Sequence, residues 1–253
     1  MKIVLTHNVS FRKADKDFVK KLKSIYGFSG KLHGLGLKNV TDNLLKLLNF
    51  EKGEGIKSSV FIRVGSGYLE ETAEELKHFL KNGWDFYMLF EPFRDIEGSF
   101  RLQRDILEWK IGSIYGVRLY GGIPSEKHIN LFAREALAFD SSFMAETLMS
   151  YDPTWIREDL VELPIGFSFS DMLIKLRLDL KTVLEYLRAK IESAMEINVK
   201  AFLIEFPQEI FTGKGEQLLT YIIDLAKEKK LEFSTCSEVV KEFRKSRIKP
   251  SQL

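Results

Sequence analysis

Short, continuously apolar runs alternate with longer amphipathic stretches along almost the whole chain, and this alternation constrains the fold more than any other feature. The runs at 3–6, 58–64, 85–90, 116–120, 136–139, 160–165, 201–205 and 231–234 are rich in Val, Ile, Leu and Phe. Side chains on a strand alternate between faces. A run that is apolar at every position therefore fits a strand covered on both sides, as in a parallel sheet or barrel. Between these runs, 13–26, 40–48, 70–81, 100–111, 126–135, 171–195, 216–229 and 237–245 read as helices. Within 171–195, Leu173, Leu176, Leu180, Val183, Leu184, Leu187 and Ile191 form one apolar stripe. In 237–245, Ser237, Glu238 and Glu242 supply cap-like polar residues around Val239, Val240 and Phe243. Repeated strand–helix alternation leads to an α/β barrel or a doubly wound sheet, and the pattern alone leaves both open. No Pro/Gly/Ser-rich linker, internal repeat or low-complexity tract divides the chain. Residues 1–253 read as one domain, with 247–253 as a frayed tail.

With 253 residues and 45% hydrophobic content, the chain can bury a full core and lacks the signature of disorder. Lys plus Arg number 38 against 36 Asp plus Glu, a net charge of +2. That balance gives no electrostatic ground for binding nucleic acid or an anionic membrane. No apolar stretch approaches the ~20 residues that span a bilayer. Met1 and Lys2 run straight into the first apolar run with no signal-like segment, so a cytoplasmic protein is expected. The lone cysteine, Cys236, excludes an intrachain disulfide and a cysteine-rich zinc site. High charge content with little Gln or Cys points toward a thermophilic source.

Most chemistry-bearing motifs are missing. Gly34-Leu35-Gly36-Leu37 lacks the Lys-Ser/Thr of a phosphate loop, and the glycines between Gly112 and Gly122 form no dinucleotide fingerprint. Ser141-Ser142 has no nucleophile-elbow context. Cys236 stands at a helix start, where thiols gain reactivity, but has no nearby histidine and reads as a small buried hydrophobe. His7, His33, His78 and His128 form no pair with helical ligand spacing. No cofactor is expected. Trp84, Trp109 and Trp155, with the many Phe and Tyr residues, offer sugar-stacking faces, although most aromatics must serve the core.

Several segments, in order, resemble the polysaccharide deacetylase (NodB-like) family. Thr6-His7-Asn8-Val9-Ser10 stands where that family writes T-H-D-x-D or T-F-D-D. Ser58-Ser59-Val60-Phe61-Ile62 is similar to its second strand, and Asn82-Gly83-Trp84-Asp85 to the start of its N-G-H-E segment. Gly116-Val117-Arg118 matches its arginine motif, Phe139-Asp140-Ser141-Ser142 its Y-D-S-S strand end, and Glu162-Leu163-Pro164 its L-E-L-P strand. Glu205-Phe206-Pro207 occupies the slot of its late L-x-H-P motif. The resemblance implies a distorted (β/α) barrel of about seven strands.

It also implies a degenerate site. The family binds a divalent metal with one aspartate and two histidines, and uses a second aspartate as base. Asn8 and Ser10 replace the aspartates, and Leu89 and Phe93 or Arg94 replace the histidines, so no metal is expected. Glu205 takes the late histidine's place, and Arg118 is retained. Barrel sites assemble at strand C-terminal ends. His7, Asn8, Arg118 and Glu205 are therefore the vestigial catalytic candidates, with Glu91, Asp140 and Glu162 as ligand-binding ones. Arg118 is expected to pair with Glu205 or Asp140, or to clamp an acidic ligand. Three functions fit: a carbohydrate-related binding or accessory protein taking a carbohydrate or small acidic ligand; a hydrolase of C–N or ester bonds rebuilt on Glu205 or Glu91 with His7; and a structural protein with a relic pocket.

Overall fold

The computed structural model describes residues 1–10, 40–64, 68–176, 178–208, 211 and 214–247. The expected helix 13–26, the glycine loop 34–37 and most of the expected tail lie outside the described residues. One ten-stranded sheet runs in the order β6-β7-β5-β4-β3-β2-β1-β9-β8, with β10 added against β1. The strands are β1 (Lys2–Ser10), β2 (Ser59–Arg63), β3 (Asp85–Phe90), β4 (Gly116–Leu119), β5 (Phe139–Asp140), β6 (Thr154–Trp155), β7 (Val161–Glu162), β8 (Ile165–Ser168), β9 (Ala201–Glu205) and β10 (Glu232–Ser234). Every pairing is parallel except β6 with β7. A parallel bridge between Met144 and Ile165 links the β5 end of the sheet to β8, curling it toward closure. The helices are α1 (Val40–Gly53), α2 (Tyr68–Lys81), α3 (Ile96–Lys110), α4 (Glu126–Arg134), α5 (Ala145–Leu148), α6 (Leu180–Glu196), α7 (Lys214–Glu228) and α8 (Cys236–Arg247).

Strand alternation sorts the core into three layers. Val4, Phe61, Tyr87, Leu89, Phe139, Val161 and Leu203 point inward and pack with Cys236, Val239 and Val240 of α8, which plugs the N-terminal end of the sheet. Ile3, Leu5, Phe202 and Ile204 face outward against α6 and α7. Val9, Val60, Ile62, Met88 and Val117 face outward against α1 to α4. Covering both faces is what makes the strand runs continuously apolar.

The structure has more strands than the about seven expected, because pairing extends or divides several elements. β1 continues through the polar residues His7, Asn8 and Ser10, which pair in register with Val60, Phe61 and Arg63. The run 160–165 splits into β7 and β8 around Pro164, which has no N–H to give a ladder. The two-residue β6 is too short to leave a periodic signal. The stretch 171–195 divides into a π-turn (Ser170–Lys175) and α6, because the Asp179 side chain accepts from Thr182 N at 3.1 Å and caps a new helix. Asp95 likewise accepts from Gly98 N at 3.0 Å and starts α3 earlier than the apolar pattern did.

Candidate functional site

The C-terminal ends of β1, β4 and β9 meet inside the barrel. Thr6 is the register partner of Glu205, and Asn8 the partner of Phe61. Arg118 is 2% exposed and lies with its guanidinium 4.0 Å over the Phe61 ring. Its Nε donates to Ser141 O at 2.6 Å, and Nη2 to Ser141 Oγ at 2.8 Å. Nη1 donates to Thr6 Oγ1 at 3.1 Å and to Asn8 Oδ1 at 2.9 Å. Burial pulls the guanidinium's pKa below its usual value, against the opposing pull of Glu205, Glu162 and Asp140.

The expected direct pairing of Arg118 with Glu205 or Asp140 is therefore replaced by a relay. Asn8 accepts from Arg118 with its oxygen and donates through Nδ2 to Glu205 Oε1 at 3.2 Å. An amide can do both at once, whereas a carboxylate can only accept. Glu205 is saturated by further donors: Ser168 Oγ at 2.8 Å and Ser170 N at 3.2 Å on Oε2, and Ser170 Oγ at 2.8 Å on Oε1. Thr6 and Ser141 stand in the quoted motifs without being singled out as site residues, and Ser168 and Ser170 escaped sequence reading, since single short polar residues carry no pattern.

Glu91 lies one strand along at the same end. The Arg63 fork grips it through Nε to Oε2 at 2.7 Å and Nη2 to Oε1, while Gln103 holds its backbone. Arg63 also stacks 4.0 Å over the Tyr120 ring. Tyr120 and Phe93, on the loops after β4 and β3, are 43% and 55% exposed.

Three candidates do not join this cluster. His7 and Asn8 are adjacent on β1, so they point to opposite faces. His7 is buried in the outer layer, with Nδ1 2.8 Å from Phe206 O and Nε2 2.7 Å from Glu51 Oε1. Glu51 also accepts from Ser58 Oγ at 2.7 Å and Trp84 Nε1 at 2.8 Å. With both ring nitrogens engaged behind the strand, His7 cannot serve Glu205 or Glu91 as a partner. Asp140 and Glu162 fall on the outer face by the same alternation, since Phe139 and Val161 point inward. They are register partners; Ser142 Oγ donates to Asp140 Oδ1 and Phe143 N to Glu162 Oε1 at 3.0 Å, while Asp140 Oδ2 and Glu162 Oε2 have no hydrogen-bond partner among the described residues. Both are fully buried, so desolvation raises Asp140 to about 7 and holds Glu162 well above the usual carboxyl range, with the Asp140 charge adding to the rise. Two buried carboxyls on paired strand positions, each raised in pKa, fit a pair that shares one proton.

The donor set does not fit a divalent metal. Where the resembled pattern needs imidazole and carboxylate, the barrel presents the Asn8 amide, the buried Leu89 and the exposed Phe93 and Arg94. Among the described residues, no three His, Cys, Asp or Glu side chains gather to hold one. Cys236 is buried, and burial pushes its thiol up to about 12, consistent with packing rather than reactivity.

No protein-family model matches the sequence, and no curated protein matches it significantly. Solved structures do match the fold. A probable polysaccharide deacetylase from Pseudomonas aeruginosa PAO1 superposes with a TM-score of 0.71 at 12% identity, over 97% of this chain and 91% of that one. Puue allantoinase gives 0.70 at 10% identity, over 97% and 91%. A CE4 family pseudoenzyme from Bacillus anthracis gives 0.53 at 10% identity, over 94% of this chain and 65% of that one. The protein thus has the polysaccharide deacetylase fold. No helix among the described residues is long and apolar enough to cross a membrane.

Proposed function

We propose that this chain uses the deacetylase fold without metal-dependent hydrolysis, and acts as a carbohydrate-related binding or accessory protein. The Arg118–Asn8–Glu205 relay carries the reading. It fills the strand ends with a closed hydrogen-bond chain in which the cation is satisfied by neutral acceptors and the carboxylate by four donors. Neither charge is left to hold a metal or take a proton from water. A pseudoenzyme among the proteins of like fold agrees with this. Exposed Phe93 and Tyr120 beside the Arg63–Glu91 pair favour a carbohydrate ligand. Flat aromatic faces next to fixed polar groups suit a sugar ring's apolar face and hydroxyls.

Calorimetric titration with N-acetylglucosamine oligomers tests both halves. Saturable binding is expected, weakened about tenfold or more in Tyr120→Ala and Phe93→Ala, a loss of ~1.4 kcal/mol. Acetate release should stay at background with or without added zinc or cobalt. Metal-dependent acetate release would overturn the loss of hydrolysis, and absence of saturable oligomer binding by folded protein would overturn the binding role.

A further inference from the structure

The opposite end of the barrel carries a cavity. It measures about 420 Å³, a size at which small ligands are commonly held. Tyr115 and Ala138 line it just before β4 and β5, Tyr87 and Phe139 form its inner wall, and Val240 of α8 closes one side. The Tyr87 and Phe139 rings meet edge to face with centroids 4.7 Å apart. Gly116 makes the arrangement feasible: a Cβ there would lie 2.2 Å from Phe139 Cζ. Tyr115 is 59% exposed, which leaves its ring free to cover a guest.

The charged residues that line the cavity itself are all basic; the nearby Asp85 carboxylate is held behind the wall, accepting from Ser237 N at 3.0 Å and Ser237 Oγ at 3.1 Å. Lys241, Arg244 and Lys245 line the cavity from successive turns of α8. None of the three has a carboxylate partner among the described residues. Arg244 spends Nη2 on Ala138 O at 3.0 Å and on Asp159 O, while its buried Nε–H has no acceptor. A buried donor without an acceptor costs stability, and a bound anion would relieve it.

We propose that this basal cavity binds an aromatic carboxylate, its ring among Tyr87, Tyr115 and Phe139 and its charge among Lys241, Arg244 and Lys245. The aromatic wall selects a flat apolar body, and the three cations, none with a carboxylate partner among the described residues, select a single anionic end. The site is separate from the Arg118 cluster, with the interior core between them.

The full chain should be titrated with 3-phenylpropionate, using 3-phenylpropanol and acetate as controls. Saturable binding of 3-phenylpropionate is expected, about tenfold or more tighter than either control. The exposed-residue variant Lys241→Gln/Lys245→Gln should lose about tenfold with an unchanged melting temperature. Tyr115→Ala should weaken binding, and Tyr120→Ala at the other end should leave it unaltered. The proposal is overturned if 3-phenylpropionate shows no saturation up to about 10 mM, if the alcohol binds equally well, or if the double lysine variant binds like the parent.

Discussion

Replacing Arg118 with methionine measures how much the interior relay contributes to stability. Methionine keeps an apolar stem against Phe61 but removes every donor. Four acceptor contacts are lost, with unequal consequences. Thr6 Oγ1 still donates to Ile204 O at 3.3 Å, and Ser141 Oγ to Leu163 O at 2.9 Å, so those hydroxyls remain bonded. Ser141 O and Asn8 Oδ1 are left without the donor shown here. Glu205 keeps its contacts with Asn8, Ser168 and Ser170, so no carboxylate is stranded. Breaking a buried ion pair costs ~3–5 kcal/mol, but the relevant loss here is two orphaned acceptors at ~1–3 kcal/mol each. Relief of the guanidinium's desolvation offsets part of it. The expected destabilisation is about 2–4 kcal/mol, or roughly 4–16 °C at the ~2–4 °C per kcal/mol typical of this size. Urea denaturation with an unchanged m-value, alongside a thermal melt, reads it out. A loss below about 1 kcal/mol would refute the reasoning, because it would mean that the guanidinium is satisfied by solvent rather than by Ser141 and Asn8.

Other expectations follow from the same contacts. Asp140 keeps its proton to about pH 7 when folded, against an ordinary value of 3.8, so the folded state binds more protons than the unfolded one in that window. Stability should therefore fall as pH rises from about 4 to 7, and Asp140→Asn should shrink the difference in melting temperature between pH 5 and pH 8; an unchanged difference would contradict the shared-proton pair. His7→Phe should cost ~2–4 kcal/mol by unbonding Phe206 O and Glu51, while leaving oligomer binding at the mouth intact; lost binding without lost stability would place His7 in the site after all. The variant Asn8→Asp/Ser10→Asp/Leu89→His should gain little activity, since a site held ~1 Å too loosely fails; metal-dependent acetate release well above background would show that the relay is no barrier to metal-dependent hydrolysis.

The fold was legible because coverage of both sheet faces writes itself into continuous apolar runs such as Asp85–Phe90 and Ala201–Glu205. The divisions were not: Asp179 cuts a helix by a side-chain cap, and Pro164 interrupts a strand, inside patterns that stay apolar throughout. Motif order singled out Asn8, Arg118 and Glu205, which the fold brings into contact, but treating each strand end as a single point hid which face each residue takes. The signal was present. His7 lies between Thr6 and Asn8, and Asp140 between Phe139 and Ser141, so a period of two already sends them to opposite sides. Glu51, by contrast, had no signal, since a helix glutamate 44 residues from His7 looks like any surface charge.

The residues at positions 8 and 205 make physical sense as a pair. With aspartate at position 8 and glutamate at 205, two carboxylates would meet at about the 3.2 Å that now separates Asn8 Nδ2 from Glu205 Oε1. Buried like charges that close cannot both ionise, so one would have to hold a proton or recruit a cation. The amide removes that conflict and supplies the donor that Glu205 accepts. It also presents to Arg118 the acceptor the guanidinium requires. Each residue thus fits the other's chemistry as well as its own strand position. Asn8→Asp alone should therefore be more damaging than Asn8→Asp joined with Glu205→His, which supplies an imidazole that can donate to the new carboxylate. Comparing the stabilities of Asn8→Asp, Glu205→His and the double variant tests this directly. A favourable coupling of ~0.5–3 kcal/mol is expected for residues in contact, and strictly additive effects would show that the two positions do not depend on each other.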